Sequence, residues 1–73
     1  MKAKYIILKK NKTEVPLVFS QMLLHRDVAG KSRVTSAGFC ELAVDGKWRV
    51  GGHSVSLKLE ARPQDAEILN AHL

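Results

Sequence analysis

Sulfur, aromatic rings and glycine signatures are scarce in this chain, and each shortage removes a class of explanation. One cysteine, Cys40, stands among 73 residues, so no internal disulfide can form. His25, His53 and His72 are scattered, with no His-x-x-x-His or Cys-x-x-Cys spacing, and no metal site is expected. Two Phe, one Tyr and one Trp give no aromatic run of the kind that stacks successive bases, and no RNP motif is present. After the basic start Met1-Lys2-Ala3-Lys4, the apolar run Tyr5 to Leu8 is far too short for a signal-peptide core or a membrane span. A lone thiol without an export signal leads to the expectation of a cytoplasmic protein with no membrane partner.

Two glycine-containing stretches fail as phosphate sites. Gly30-Lys31-Ser32 matches only the end of a phosphate-binding loop: His25 stands where the pattern needs glycine, and a strand is expected after Ser32 in place of a helix. Gly51-Gly52 lacks the three-glycine spacing and strand-to-helix setting of a dinucleotide site. No cofactor is expected.

What remains is a small globular composition, 45% hydrophobic and 26% charged, with a net charge of +5. A domain this small buries only about 60% of the surface its unfolded chain exposes, so its core is thin. Lys2, Lys4, Lys9, Lys10 and Lys12 place five positive charges in the first twelve residues. Such a field attracts nucleic acid or an acidic partner. The same lysines bracket an apolar strand, as residues that guard a sheet edge against aggregation do.

Alternation predicts strands over residues 4–10 and 14–19, joined at Asn11-Lys12. A two-residue loop sets Lys9 opposite Glu14, Leu8 opposite Val15 and Ile6 opposite Leu17, one charge pair and two apolar pairs; a three-residue loop is the alternative, since Lys12 would need a positive φ. Pro16 lacks an N–H, so the second strand belongs at an edge or is interrupted there. Ser20 is expected to cap a helix over residues 21–29, with Gly30 in the left-handed position after it.

Residues 34–59 read as one long hairpin about Asp45-Gly46. A three-residue loop, Val44-Asp45-Gly46, faces Leu42 with Trp48, Cys40 with Val50 and Glu41 with Arg49, which satisfies packing and charge together. Trp48 and Val50 are even-numbered, whereas Val55, Leu57 and Leu59 are odd. A bulge at Gly51-Gly52 is therefore expected to return them to one inner face, with Val34 near Leu57. Arg62-Pro63 opens a terminal helix, with Asp65 and Glu67 in its first turn and Ile68 and Leu69 as anchors.

The expected fold is one α+β domain over residues 1–73. It has a small antiparallel sheet of about four strands, built from two β-hairpins in the order β-β-α-β-β-α. The sheet is open or curled into a partly closed barrel, with the C-terminal helix packed on it. Cys40 and His53 approach each other in this register and are the nearest thing to a nucleophile pair. Cys40 nevertheless falls inward, no oxyanion element or orienting acid accompanies it, and no catalytic residue is assigned. Apolar side chains on both faces of the hairpin point to protein association. The expected function is a non-enzymatic protein-binding or adaptor module that self-associates. Phe39, Glu41 and Arg49 form its outward surface, and Lys9, Lys10 and Lys12 act as an electrostatic guide. A basic nucleic-acid-binding or regulatory protein is the alternative, and a small enzyme or ligand-binding protein using Cys40 and His53 stands third.

Overall fold

Strand β1 (Lys2–Lys10) holds the chain's longest unbroken apolar run, Tyr5 to Leu8, and it becomes an inner strand of the sheet. The computed structural model describes residues 2–73. In chain order β1 is followed by β2 (Thr13–Phe19), α1 (His25–Ala29), β3 (Val34–Leu42), β4 (Trp48–Gly51), β5 (His53–Ser54), β6 (Leu59–Glu60) and α2 (Asp65–His72). The main sheet is antiparallel with strand order β2-β1-β3-β4, and β5 pairs with β6 in a separate ribbon. The sheet is open and does not close into a barrel.

Both expected hairpin registers are present. Lys9 faces Glu14, Leu8 faces Val15 and Ile6 faces Leu17, with Asn11 alone in the turn at positive φ, 56°. Cys40 faces Val50, Glu41 faces Arg49 and Leu42 faces Trp48, and Gly46 takes φ 82° in the three-residue loop. The amide of Ala43 donates to the Lys47 carbonyl and that of Gly46 to the Ala43 carbonyl, closing the turn.

Consecutive residues Tyr5, Ile6 and Ile7 are all fully buried, which requires cover on both faces of β1. On one face Ala3, Tyr5, Ile7 and Cys40 pack with Leu69, joined by Val18, Trp48, Val50, Ala61 and Ile68. On the other, Ile6, Ala29 and Ala37 pack with Leu8, Phe19, Val28, Val34, Leu57 and Leu59. Helix α2 thus roofs the first face, while α1 and the β5–β6 ribbon roof part of the second. Each fully buried Ile or Leu side chain contributes about 1.5–3 kcal/mol.

Three expectations need correction. Helix α1 begins at His25, not Gln21, with Leu24 as its N-cap residue. Ser20 spends its hydroxyl on a local turn, accepting from the Met22 amide at 3.1 Å, and such a turn competes with helix. Gly30 does follow the helix at φ 56°. The long hairpin also stops early: β4 ends at Gly51, Gly52 turns at φ 75°, and the chain leaves the sheet. Val55 is 78% exposed, so it does not share an interior with Trp48. The frame change lies instead between Ile7 and Leu8, which pair with Ser36 and Val34 and leave Thr35 as the extra residue in β3. Val34 pairs with Leu8 in the sheet, and it and Leu57 each pack against the Ile6–Ala29–Ala37 cluster, on the face opposite Cys40.

A buried polar cluster fastens α2 to the sheet. The Tyr5 hydroxyl donates to Asp65 Oδ2 at 2.6 Å, and the Arg62 amide donates to the same oxygen at 2.9 Å. Arg62 Nε donates to Asp65 Oδ1 at 3.0 Å, while its Nη2 donates to Glu14 Oε2 at 2.8 Å. The Thr35 hydroxyl completes the chain by donating to Glu14 Oε2 at 2.6 Å. Asp65 is fully buried, so these bonds replace the water it has lost.

The sheet's outer edges are both blunted. Pro16 on β2 removes a donor from one. On the other, the Asn70 side chain accepts from the Trp48 amide at 2.7 Å and donates to its carbonyl at 3.2 Å, as a neighbouring strand would.

Candidate functional site

Alternation along the strands gathers Lys2, Glu41 and Arg49 in one cross-strand row, and Phe19, Lys4, Phe39 and Gly51 in the next. These rows lie on the face roofed by α1, at the end of the sheet where Lys2 pairs with Glu41. Phe39 occupies the middle. Its ring is half-buried, meeting His25 edge-on at 5.9 Å between centroids. His25 meets Phe19 likewise at 5.5 Å.

His25 is a structural post for Phe39. It is buried, and its Nε2 lies 2.8 Å from the Gly38 carbonyl. A carbonyl can only accept, so Nε2 carries the proton and donates. The Lys2 and Lys4 ammonium groups sit 6.0 and 5.9 Å from the Phe39 centroid, at the outer range of cation–π attraction. Lys4 Nζ also donates to the Leu23 carbonyl at 2.8 Å, which holds it beside the ring.

Phe39 separates two grooves. One, of about 330 Å³, is bordered by Lys2, Glu41, Arg49 and Gly52. The other, of about 180 Å³, is bordered by Leu24, His53 and Val55. One side of the ring therefore offers charge, with two cations flanking a carboxylate, and the other offers apolar surface. Gly52 is required here: a Cβ at this position would stand 3.2 Å from Phe39 Cδ1, and φ is already positive.

Phe39, Glu41 and Arg49, the outward surface expected from the sequence, do come together. Arg49 approaches Asp45 at 3.7 Å as well as facing Glu41 across the strands. Lys9, Lys10 and Lys12 do not join them; they lie at the opposite end of β1, beyond the Leu8–Val34 pair. Lys2 and Lys4 take the place beside Phe39. That neighbourhood follows from the β1–β3 pairing, which spans about half the chain and has no local signal.

Cys40 and His53 are not a pair. Cys40 buries its side chain in the Tyr5–Leu69 cluster, and burial pushes the thiol up to about 11. His53 is exposed on the Phe39 side of the sheet. Their expected approach depended on a ladder continuing past Gly51. No group of three or more His, Cys, Asp or Glu side chains among the described residues could hold a metal ion.

The Tyr5–Asp65–Arg62–Glu14 cluster was invisible to sequence reasoning, because its members stand up to 60 positions apart. Burial first, then the bond to Asp65, raises the Tyr5 hydroxyl far above the ordinary tyrosine value. Bonds from Thr35 and then Arg62 hold the Glu14 carboxyl below its usual range. Burial alone would lower the Arg62 guanidinium, but Glu14 and Asp65 outweigh it and raise it. These groups bind one another, and their chemistry is that of a structural latch.

No family model matches the chain, and neither a curated protein nor a solved structure is significantly similar to it. No helix among the described residues is long and apolar enough to cross a membrane.

Proposed function

We propose that this chain is a small non-enzymatic protein-binding module whose docking face is centred on Phe39. The observation that carries the proposal is the pair of grooves divided by that ring, one charged and one apolar. A partner segment that sets an apolar side chain between Leu24 and Val55 can reach Lys2 and Arg49 with an acidic one. Aromatic and Arg side chains supported from beneath are the types that dominate binding energy at protein interfaces.

Charge selects between occupants. Lys2, Lys4 and Arg49 outnumber the two acids beside them, Glu41 and Asp45, so this face keeps a net positive charge. The geometry therefore favours an acidic partner over the self-association expected from the sequence. It also disfavours base stacking at this face, since His25 meets the ring from one side and two lysines stand over it.

Selection from a random peptide library displayed on phage, followed by fluorescence titration of the recovered peptides, tests this. The peptides are expected to combine an apolar residue with Asp or Glu and to lose about tenfold or more in affinity on Phe39→Ala. Arg49→Gln, at an exposed position, is expected to weaken them while leaving the circular dichroism spectrum unchanged. Recovered peptides indifferent to both substitutions would refute the proposal. Light scattering that finds a dimer abolished by Phe39→Ala would put a second copy in the partner's place.

A further inference from the structure

The opposite end of the sheet collects most of the chain's net charge. The β1–β2 hairpin tip carries Lys9, Lys10 and Lys12, and the loop entering β3 carries Lys31 and Arg33. These segments meet directly: the Lys9 amide donates to the Arg33 carbonyl at 2.9 Å. Lys10, Lys12, Lys31 and Arg33 are exposed, and Lys9 is half-buried. Residues 9–14 and 31–33 hold five of the chain's twelve cationic side chains and one of its seven acidic ones, so four of the five net charges reside here.

The single acid does not neutralise them. Glu14 faces Lys9 across the strands and feels its charge, but its Oε2 is already held by Arg62 and Thr35. None of the five cations takes part in an ion pair among the described residues.

We infer that this end is a second, independent surface that docks on the phosphate backbone of nucleic acid without reading its sequence. Neither groove beside Phe39 is lined by any of these five cations, so this end stands apart from the docking face. Long, exposed lysines answer charge alone, and a regular array of phosphates supplies it. Crossing β2, β1 and β3 spans about 10 Å at the usual strand spacing. A duplex presents one charge per ~1.7 Å of its axis with both strands counted, a density high enough for several flexible cations over that length to find phosphates within reach.

The test uses the whole protein and a fluorescently labelled 20-base-pair duplex of arbitrary sequence, with anisotropy read from 20 to 200 mM salt. The logarithm of the binding constant is expected to fall with the logarithm of salt at a slope of about −4, roughly a 250-fold loss between 50 and 200 mM. Replacing Lys10, Lys12 and Lys31 together by Gln is expected to reduce the slope to about −1, roughly a fourfold loss over the same range. All three positions are exposed, so the fold is preserved. Phe39→Ala and Arg49→Gln are expected to leave the slope unchanged, which separates this surface from the docking face. Absence of binding at 20 mM salt, or an unaltered slope in the triple variant, would overturn the inference. So would poly-glutamate competing as well as duplex at equal charge, which would make the partner an acidic polypeptide.

Discussion

Replacing Tyr5 with Phe removes one oxygen from the middle of the fold and leaves the ring in place among Ile7, Cys40 and Leu69. The lost bond is the 2.6 Å donation to Asp65, whose side chain has no access to water. Hydrogen bonds to a charged group contribute about 1.5–3 kcal/mol net, more than neutral ones. Asp65 keeps the Arg62 amide on the same oxygen and the guanidinium on the other, so the cost should fall in the middle, about 2 kcal/mol. A domain of 73 residues has a total stability of about 4–11 kcal/mol, so this single atom accounts for a fifth to a half of it. The expected fall in melting temperature is about 8–16 °C. Urea unfolding followed by Trp48 fluorescence reads the change, because that indole packs against the α2 cluster. The denaturant slope should stay the same while the midpoint falls. A loss below about 0.5 kcal/mol would refute the reasoning, since it would mean that Asp65 depends little on the hydroxyl. A double-mutant cycle with Asp65→Asn should return a coupling of about 1 kcal/mol or more.

Three further outcomes are expected. Because the Glu14 carboxyl titrates below its reference value of 4.5, its contribution to stability is fully present above about that pH. It is lost as the pH falls through the lowered folded value. Glu14→Gln should therefore lower the urea midpoint near neutrality and flatten its decline between pH 5 and 3. Gly38→Ala should destabilise by about 1–3 kcal/mol in the same unfolding assay. Its Cβ would stand 2.7 Å from the Gly51 carbonyl oxygen and 3.1 Å from Ala61 Cβ, with backbone on one side that cannot step away. Cys40, with its thiol pushed up to about 11, is about 0.1% thiolate at pH 8. Its reaction with a thiol-reactive dye should be slow in the native protein and rise steeply in urea.

Local rules reached as far as local forces decide. The β1–β2 register was legible because Lys9–Glu14 and two apolar pairs agree on one alignment, and the Leu42–Trp48 register because only the longer loop avoids setting Leu42 against Arg49. The same parity reasoning failed past Gly51. There the odd-numbered Leu57 and Leu59 belong to a separate ribbon that Lys58 turns at φ 57°, and the irregularity that shifts the frame sits at Thr35. Nothing near Thr35 signals an extra residue, since its register is set by Ile7 and Leu8 about 28 positions away. Helix α1 was overextended because Ser20 can serve either a helix or a turn, and the docking of His25 under Gly38 decides between them. Of the candidate surface, the members on β3 and β4 could be read from a single hairpin. Lys2 and Lys4 could not, because pairing between distant strands brings them in.

Asn70 standing in for a strand beside Trp48, with Pro16 across the sheet, has a consequence for how copies of this chain can meet. Strand-by-strand growth needs a row of unoccupied amides and carbonyls, and here a side chain fills part of one row while a pyrrolidine ring interrupts the other. Crowded molecules are thereby steered away from fibrous stacking, and encounters between them are left to side-chain surfaces.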